Sequence, residues 1–382
     1  MTLATAVILS YKRQDALRRQ ILYYANKPVH LIFADGSDDD WGSGESGSIG
    51  EMTWEYFRIP GYYSYVQRLN ESVRRVKTRF VFLIDDEECI LWSGVLKSCE
   101  FLNANPDHSC AGGHATTAQY SNGRLGLLPH YSSKNKWEIL EAEPHVRLEK
   151  TFRSKNTKSL FYMVLRTEDL SIYAKTLVDL PITGKLHLIV ESLFCGYLAI
   201  IGKYAPGVYP YWIRFGGSVS SPSIENSVLD QESLQVVSRA LFDMALEAIR
   251  ARGMTASIDD LRPSELSEIF PSTTTQVKRQ PDDFSKSKST SERNLMVSLS
   301  SWLHKLIPKV GRLLFNYTPV IYQVVSPNGF KTFSRYAKLK AFGDQSVKRD
   351  LLFIEYIWKK FPNGVSEHQL NIALDRLGKV PF

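Results

Sequence analysis

FVFLIDDEECIL, residues 80–91, decides how this chain folds. Five apolar residues, Phe80 to Ile84, run into four carboxylates, Asp85, Asp86, Glu87 and Glu88, and the chain then turns apolar again. A solvated acidic patch needs no apolar run on each side. Carboxylates withdrawn from water without a partner are costly. The stretch therefore expects a buried strand with a cation or a set of donors waiting at its end.

Upstream, short apolar runs alternate with helical patterns, as in βαβ units. Ala4 to Leu9 reads as a buried strand, and Asp15 to Ala25 carries Leu17, Ile21, Leu22 and Ala25 at helical spacing. Val29 to Ala34 is a second strand, ending at Asp35-Gly36-Ser37-Asp38, and residues 65–77 form a helix leading into the strand 80–84. The expected fold class is α/β, with a mostly parallel sheet flanked by helices. Such sheets bind ligands at the carboxyl ends of their strands, where both acidic clusters fall.

Residues 41–50, WGSGESGSIG, read as a flexible loop, and 110–165 as loops and strands able to build an acceptor-binding face. Leu186 to Ile201 reads as a helix with Glu191 close to its start, and a further helix spans about 229–252. Residues 255–297, rich in Ser, Thr, Lys and Pro, read as a linker or mobile loop. No internal repeat is present.

The composition is globular: 382 residues, 43% hydrophobic and 12% aromatic, with a net charge of +7 that invites anionic partners. Nucleic acid is disfavoured, because the acidic strand ends oppose it and no recognition motif is present. Cys89, Cys99, Cys110 and Cys195 form no CxxC pair, so neither zinc nor a disulfide framework is expected. With no secretory leader and no apolar run of about 18 residues, the expected location is a reducing cytoplasm. The segment 298–315 places Leu299, Trp302, Leu303, Leu306, Ile307, Val310, Leu313 and Leu314 on a helical stripe, with Lys305, Lys309 and Arg312 elsewhere. Two readings stay open for it: a helix packed on the main domain, or a basic amphipathic surface on anionic lipid at the inner face of a membrane.

Hard oxygen ligands at a strand end suit Mg²⁺ or Mn²⁺ bridging a diphosphate. In an extended chain Asp85 and Glu87 point the same way and Asp86 the opposite way. Placed downstream of a strand ending in DGS, the string gains weight as a DxD-like motif. Here the chain resembles the family 2 type of glycosyltransferases with the GT-A (Rossmann-like) fold. TAVILSYKRQDALRRQI looks like that fold's first strand and helix, LIFADGSDDD like its second strand and Asp-Gly-Ser turn, and RLNESVRRVKTRFVFLIDDEE like its Asn-containing helix, fourth strand and DxD motif. The resemblance covers residues 1–115 well and 116–220 poorly.

The resemblance implies a sugar-nucleotide donor, UDP-linked, a glycan or lipid-linked acceptor in bacterial surface polysaccharide synthesis, and an inverting, metal-dependent reaction. It implies that the backbone around Ser10 and Tyr11 lines the nucleotide pocket and that Asp35 accepts a hydrogen bond from the base or ribose. Arg68 and Asn70 then face the sugar nucleotide. Asp85 and Asp86 approach the donor, Asp85 and Glu87 hold the cation, and Glu191 is the base. Glu87 stands where the family has Asp, and Ser192 where it often has a second carboxylate. For single residues the structural alternatives are plain. Asp35 could shape a turn; Glu191 could favour a helix N-terminus through the macrodipole; Tyr209, Tyr211 and Trp212 could pack in a core, while Arg214 could hold a phosphate. The expected organisation is a transferase domain at 1–222, a helical extension at 223–254, the linker at 255–297 and a mainly helical C-terminal region at 298–382. The alternative function is a non-catalytic carbohydrate- or membrane-binding protein on a decayed transferase domain. A nucleotidyltransferase is disfavoured because no Gly-rich phosphate loop follows the first strand.

Overall fold

A computed structural model describes residues 2–39, 46–61, 64–121, 124–129, 138–153, 157–180, 186–215, 231–253, 345–360 and 365–377. The segment 255–297 and the amphipathic segment 298–315 lie outside the described residues.

Strand β1 (Ala4–Ser10) is apolar on both faces and sits between β2 (Val29–Asp35) and β5 (Phe80–Asp85), parallel to both. Near-continuous apolar sequence is what a strand covered on both faces requires. Register then aligns the strand ends: Ser10 lies opposite Asp35, and Leu9 opposite Asp85. The two acidic clusters are brought together by this pairing alone. Helix α1 (Gln14–Tyr24) buries Leu17, Ile21 and Leu22, and α2 (Tyr65–Arg75) buries Val66, Leu69 and Val73, positions that recur with the helical turn and keep one stripe inward.

Beyond this half the expected mostly parallel sheet is corrected to a mixed one. Among the described residues ten strands run in the order β3-β4-β2-β1-β5-β9-β7-β10-β6, with β8 on β7. Here β3 is Ser46–Ile49, β4 Met52–Arg58, β6 Cys89–Ile90, β7 His108–Ser121, β8 Arg124–Pro129, β9 Val164–Arg166 and β10 Lys203–Phe215. Strands β4 and β10 pair in parallel with β2 and β7, whereas β3–β4, β5–β9, β7–β9, β7–β8 and β6–β10 are antiparallel. The loop expected at 41–50 is in part strand: residues 46–49 form a hairpin with β4, turning through Gly50 at φ 60°, a left-handed value that glycine adopts freely.

The helices that cover the sheet are α3 (Trp92–Ala104), α4 (Pro144–Arg153), α5 (Thr167–Asp179), α6 (Leu186–Ile201) and α7 (Gln231–Ala251); a 3₁₀ turn at Thr157–Tyr162 leads into β9. Helices α8 (Gln345–Lys360) and α9 (Glu367–Leu377) come from the far end of the chain. Both touch α1, and α8 also touches α3.

The order forces a curl. Strands β5 and β6 are consecutive in the chain, yet β9, β7 and β10 lie between them in the sheet. Four interstrand steps in a flat sheet span about 19 Å, whereas the four peptide units from Asp85 to Cys89 reach at most about 14 Å. The β10 side must therefore fold back over the end of β5. The residues that close that gap are the acidic turn.

Among the described residues no helix is long and apolar enough to cross a membrane. All four cysteines are free and buried.

Candidate functional site

The chain reverses immediately after Asp85: the Glu88 amide donates to the Asp85 carbonyl at 3.1 Å. This overturns the extended-chain expectation that Asp85 and Glu87 share a face, because residues 86 and 87 form a turn. Each carboxylate takes a different direction.

Asp86 points inward. Ser10 Oγ donates to it at 2.8 Å and Arg13 Nη1 at 3.2 Å. Burial pushes its pKa up to about 6, against the pull of Arg13. Glu87 is half-buried and shares the same Arg13 nitrogen at 3.0 Å, so the expected metal ligand is already paired with a cation of the chain. Glu88 is buried, accepts a hydrogen bond from Trp212 Nε1, and faces Arg214 Nε at 3.5 Å. Burial, with the charge of Asp85 next, drives its pKa well above the ordinary value.

Asp85 alone faces out. Tyr162 Oη donates to its Oδ2 at 2.8 Å, and the carboxylate is open to solvent. Its pKa is nevertheless raised, first by the protein mass around it and then by the charge of Glu191, with the Tyr162 bond opposing. Asp85 is thus reached by water while protein crowds it closely enough to disfavour its charge. Tyr65, on α2, feels the charges of both Asp85 and Glu191. Tyr162 stacks on Trp212 at 4.2 Å between centroids and an interplanar angle of 21°. The structure thus brings Asp85, Glu88 and Glu191 into one electrostatic neighbourhood, from β5, the turn and α6.

Glu191 lies in the second turn of α6, not the first, which removes the macrodipole explanation for it. Its helix is held at the far end by arginines. Arg147 Nε and Nη2 donate to the carbonyls of Ala199 and Ile200 at 2.7 and 2.6 Å, and Arg252 Nη1 to that of Ile201 at 3.2 Å. Helix carbonyls that lack intrahelical partners are satisfied there by buried cations.

The other expected residues are placed differently. Asp35 is fully buried and accepts from Ser37 N (3.0 Å), Ser37 Oγ (2.7 Å) and Tyr56 Oη (2.9 Å), bonds that also hold the turn after β2. Arg68 is buried too; its Nη1 donates to the Gly61 carbonyl at 2.7 Å and to Ser64 Oγ at 2.6 Å. Its guanidinium lies so close to Gly36 that a Cβ there would stand 2.2 Å from Nη1, so a side chain at 36 would push the arginine head aside. Asn70 is half-buried on α2. The Ser10 carbonyl accepts from Gly36 N at 2.9 Å, and Tyr11 is half-buried with the Lys12 ammonium 5.2 Å from its ring. Tyr211 and Trp212 are core residues, whereas the Arg214 side chain is 40% exposed and reaches the acidic turn.

Gln20 was not foreseen. Its Nε2 donates to the carbonyls of Asp86 (3.1 Å) and Glu88, pinning the turn to α1. A signal existed, since a glutamine on the stripe of Leu17 and Ile21 must find polar partners once buried. Tyr162 had no such signal; its neighbours in sequence are apolar in the manner of any core segment.

Because Asp86 titrates above the ordinary carboxylate range, its contribution to stability is complete below about pH 4 and is lost as pH rises through 6. Asp86→Asn keeps an acceptor for Ser10 and removes that loss. Urea melts between pH 4 and 7 should show wild type losing up to about 3 kcal/mol relative to the variant. Parallel profiles would mean that Arg13 compensates the charge fully.

No protein-family profile matches the chain, and no curated protein matches it. Among solved structures it is similar to S. aureus TarS 1-349, at 13% identity and TM-score 0.43, over 89% of this chain and 90% of that one. The same protein in complex with UDP aligns at 11% identity and TM-score 0.44, again over 89% and 90%. Its complex with UDP-GlcNAc aligns at 12% and TM-score 0.42, over the same shares. Likeness at this level leaves function to be read from the side chains.

Proposed function

We propose that this chain transfers a sugar from a UDP-linked nucleotide sugar to a hydroxyl of a glycan or lipid-linked acceptor, by an inverting mechanism. One observation carries the reading. The outward carboxylate of Asp85, at the end of a central parallel strand, lies within electrostatic reach of Glu191 on an independent helix. The first suits the donor side of such a reaction and the second the acceptor side. Glu191 would accept the proton of the attacking hydroxyl, a role that requires hydrogen-bonding reach to it. Arg13 and Arg214 at the turn favour a polyanionic ligand, because guanidinium groups match phosphate oxygens. The sequence resemblance to family 2 transferases points the same way.

A divalent cation fits in part. Among the described residues no group of three or more His, Cys, Asp or Glu side chains could hold a metal. The donors present are hard carboxylate oxygens, and Asp85 carries charge that Glu88 and Glu191 crowd rather than relieve. Asp85 would hold Mn²⁺ or Mg²⁺ together with the diphosphate, with Glu87 in reach only after release from Arg13. Bound there, the cation would neutralise the departing diphosphate.

Calorimetry with UDP, with and without Mn²⁺, tests the metal: affinity should rise by at least about tenfold with the cation, as for a hard cation bridging two anions. Equal affinity would remove it from the reaction. A panel of nucleotide sugars, followed for slow donor hydrolysis, tests the class. Binding without turnover on any donor and acceptor would favour a carbohydrate-binding role instead.

A further inference from the structure

The acidic turn is not held by its own strand alone. It continues through β6 into α3, and α1 lies along the whole stretch. Besides the two Gln20 bonds, Tyr24 Oη donates to the Ile90 carbonyl at 2.9 Å, and Tyr23 Oη accepts from the Trp92 amide at 3.0 Å. Helix α3 begins at Trp92 and receives no side-chain cap from its own N-cap residue, Leu91. Its first amides need acceptors. One comes from the far end of the sequence: Asp350 Oδ2, on α8, accepts from the Ser93 amide at 2.8 Å across 257 residues.

Asp350 is buried, and the seam around it is built to hold it. Phe353 packs on Tyr23 at 6.3 Å, and the Lys27 ammonium sits 4.3 Å from the Tyr23 ring and 5.2 Å from that of Phe353. A carboxylate at a helix N-terminus satisfies an amide and opposes the positive end of the dipole. Tyr23 therefore touches α8 through its ring and the start of α3 through its hydroxyl.

We infer that Asp350 is a positioning residue for the acidic turn: by capping α3 it fixes the strut that sets where Asp85 and Glu88 stand. The catalytic side of this inference rests on the turn being the donor site. It makes α8 part of the working unit, because the acceptor for the Ser93 amide is carried there.

The test uses the full chain with Asp350→Ala and Asp350→Asn, followed by amide hydrogen exchange and by UDP calorimetry. Glu88 and Leu91 are the reporting amides, being bonded to the Asp85 carbonyl and to the Tyr211 carbonyl at 2.8 Å. In Asp350→Ala, exchange should quicken by about tenfold at Ser93 and across residues 88–91, the usual scale of a lost cap, with β1 and β2 unchanged. UDP affinity should fall by a similar factor, and Asp350→Asn, which keeps an oxygen acceptor, should recover most of both. Quickening confined to residues 92–95, or spread evenly over β1 and β2, would overturn the inference. If Asp350→Ala does not fold, Asp350→Ser takes its place, since its shorter side chain cannot reach Ser93 N. If wild type binds no UDP, the donor-site reading fails, and exchange at Glu88 still decides the strut.

Discussion

Glu191→Gln should lower turnover by at least about 100-fold while leaving UDP affinity within about a factor of two, the pattern of a lost general base. The glutamine keeps the volume and one acceptor oxygen but cannot take a proton. It also removes a charge that raises the pKa of Asp85, so the variant should ionise Asp85 at lower pH than wild type does. A pH–rate profile of the residual activity reads this directly, as an acidic limb displaced downward. Full activity in the variant would move the base elsewhere. A parallel loss of donor binding and turnover would make Glu191 part of the frame.

The largest loss of stability is expected at Asp169→Ala. Asp169 and Arg252 are both buried, and Arg252 Nε and Nη2 grip the two carboxylate oxygens, the first at 2.9 Å. Removing one partner leaves a guanidinium uncompensated in the interior, which costs about 3–5 kcal/mol. Thermal melts should show a drop on the order of 10 °C. Replacing the pair together, Asp169→Leu with Arg252→Met, should recover most of it, because apolar isosteres avoid the desolvation of two ions. Failure of the double variant to recover would show that the Arg252 bond to Ile201 matters in its own right.

How much of this was legible beforehand follows from what each element depends on. Helix α6 was readable at both ends, as were β1, β2 and β5 to within a residue, because their apolar runs are buried by the chain's own pattern. Strand β10 was not. KYAPGVYPYWIRF carries Pro206 and Pro210, which argue against a strand, and the structure accommodates them with register shifts on either side of Pro210. The antiparallel strands that make the sheet mixed are set by such long-range pairing. That the acidic residues gather at neighbouring strand ends was readable from the sequence. Their directions were not, since parity along an extended chain ceases to apply once the backbone turns at Asp86. The burial of Asp35 was equally hidden, because it depends on Tyr56 arriving from β4.

The curl of the sheet also bears on how the chain is made. Trp212, the partner of Glu88, follows it by 124 residues. At roughly 5–20 residues per second, a ribosome exposes the acidic turn many seconds before β10 emerges to cover it. During that interval Glu88 lacks Trp212 and Arg214, and β7 and β6 both present an open edge where β10 will pair. Unpaired edges recruit other strands. The growing chain is thus most vulnerable to association between completion of β7 and release of β10, and slow translation through residues 122–202 should lower the soluble yield more than slow translation anywhere after 215.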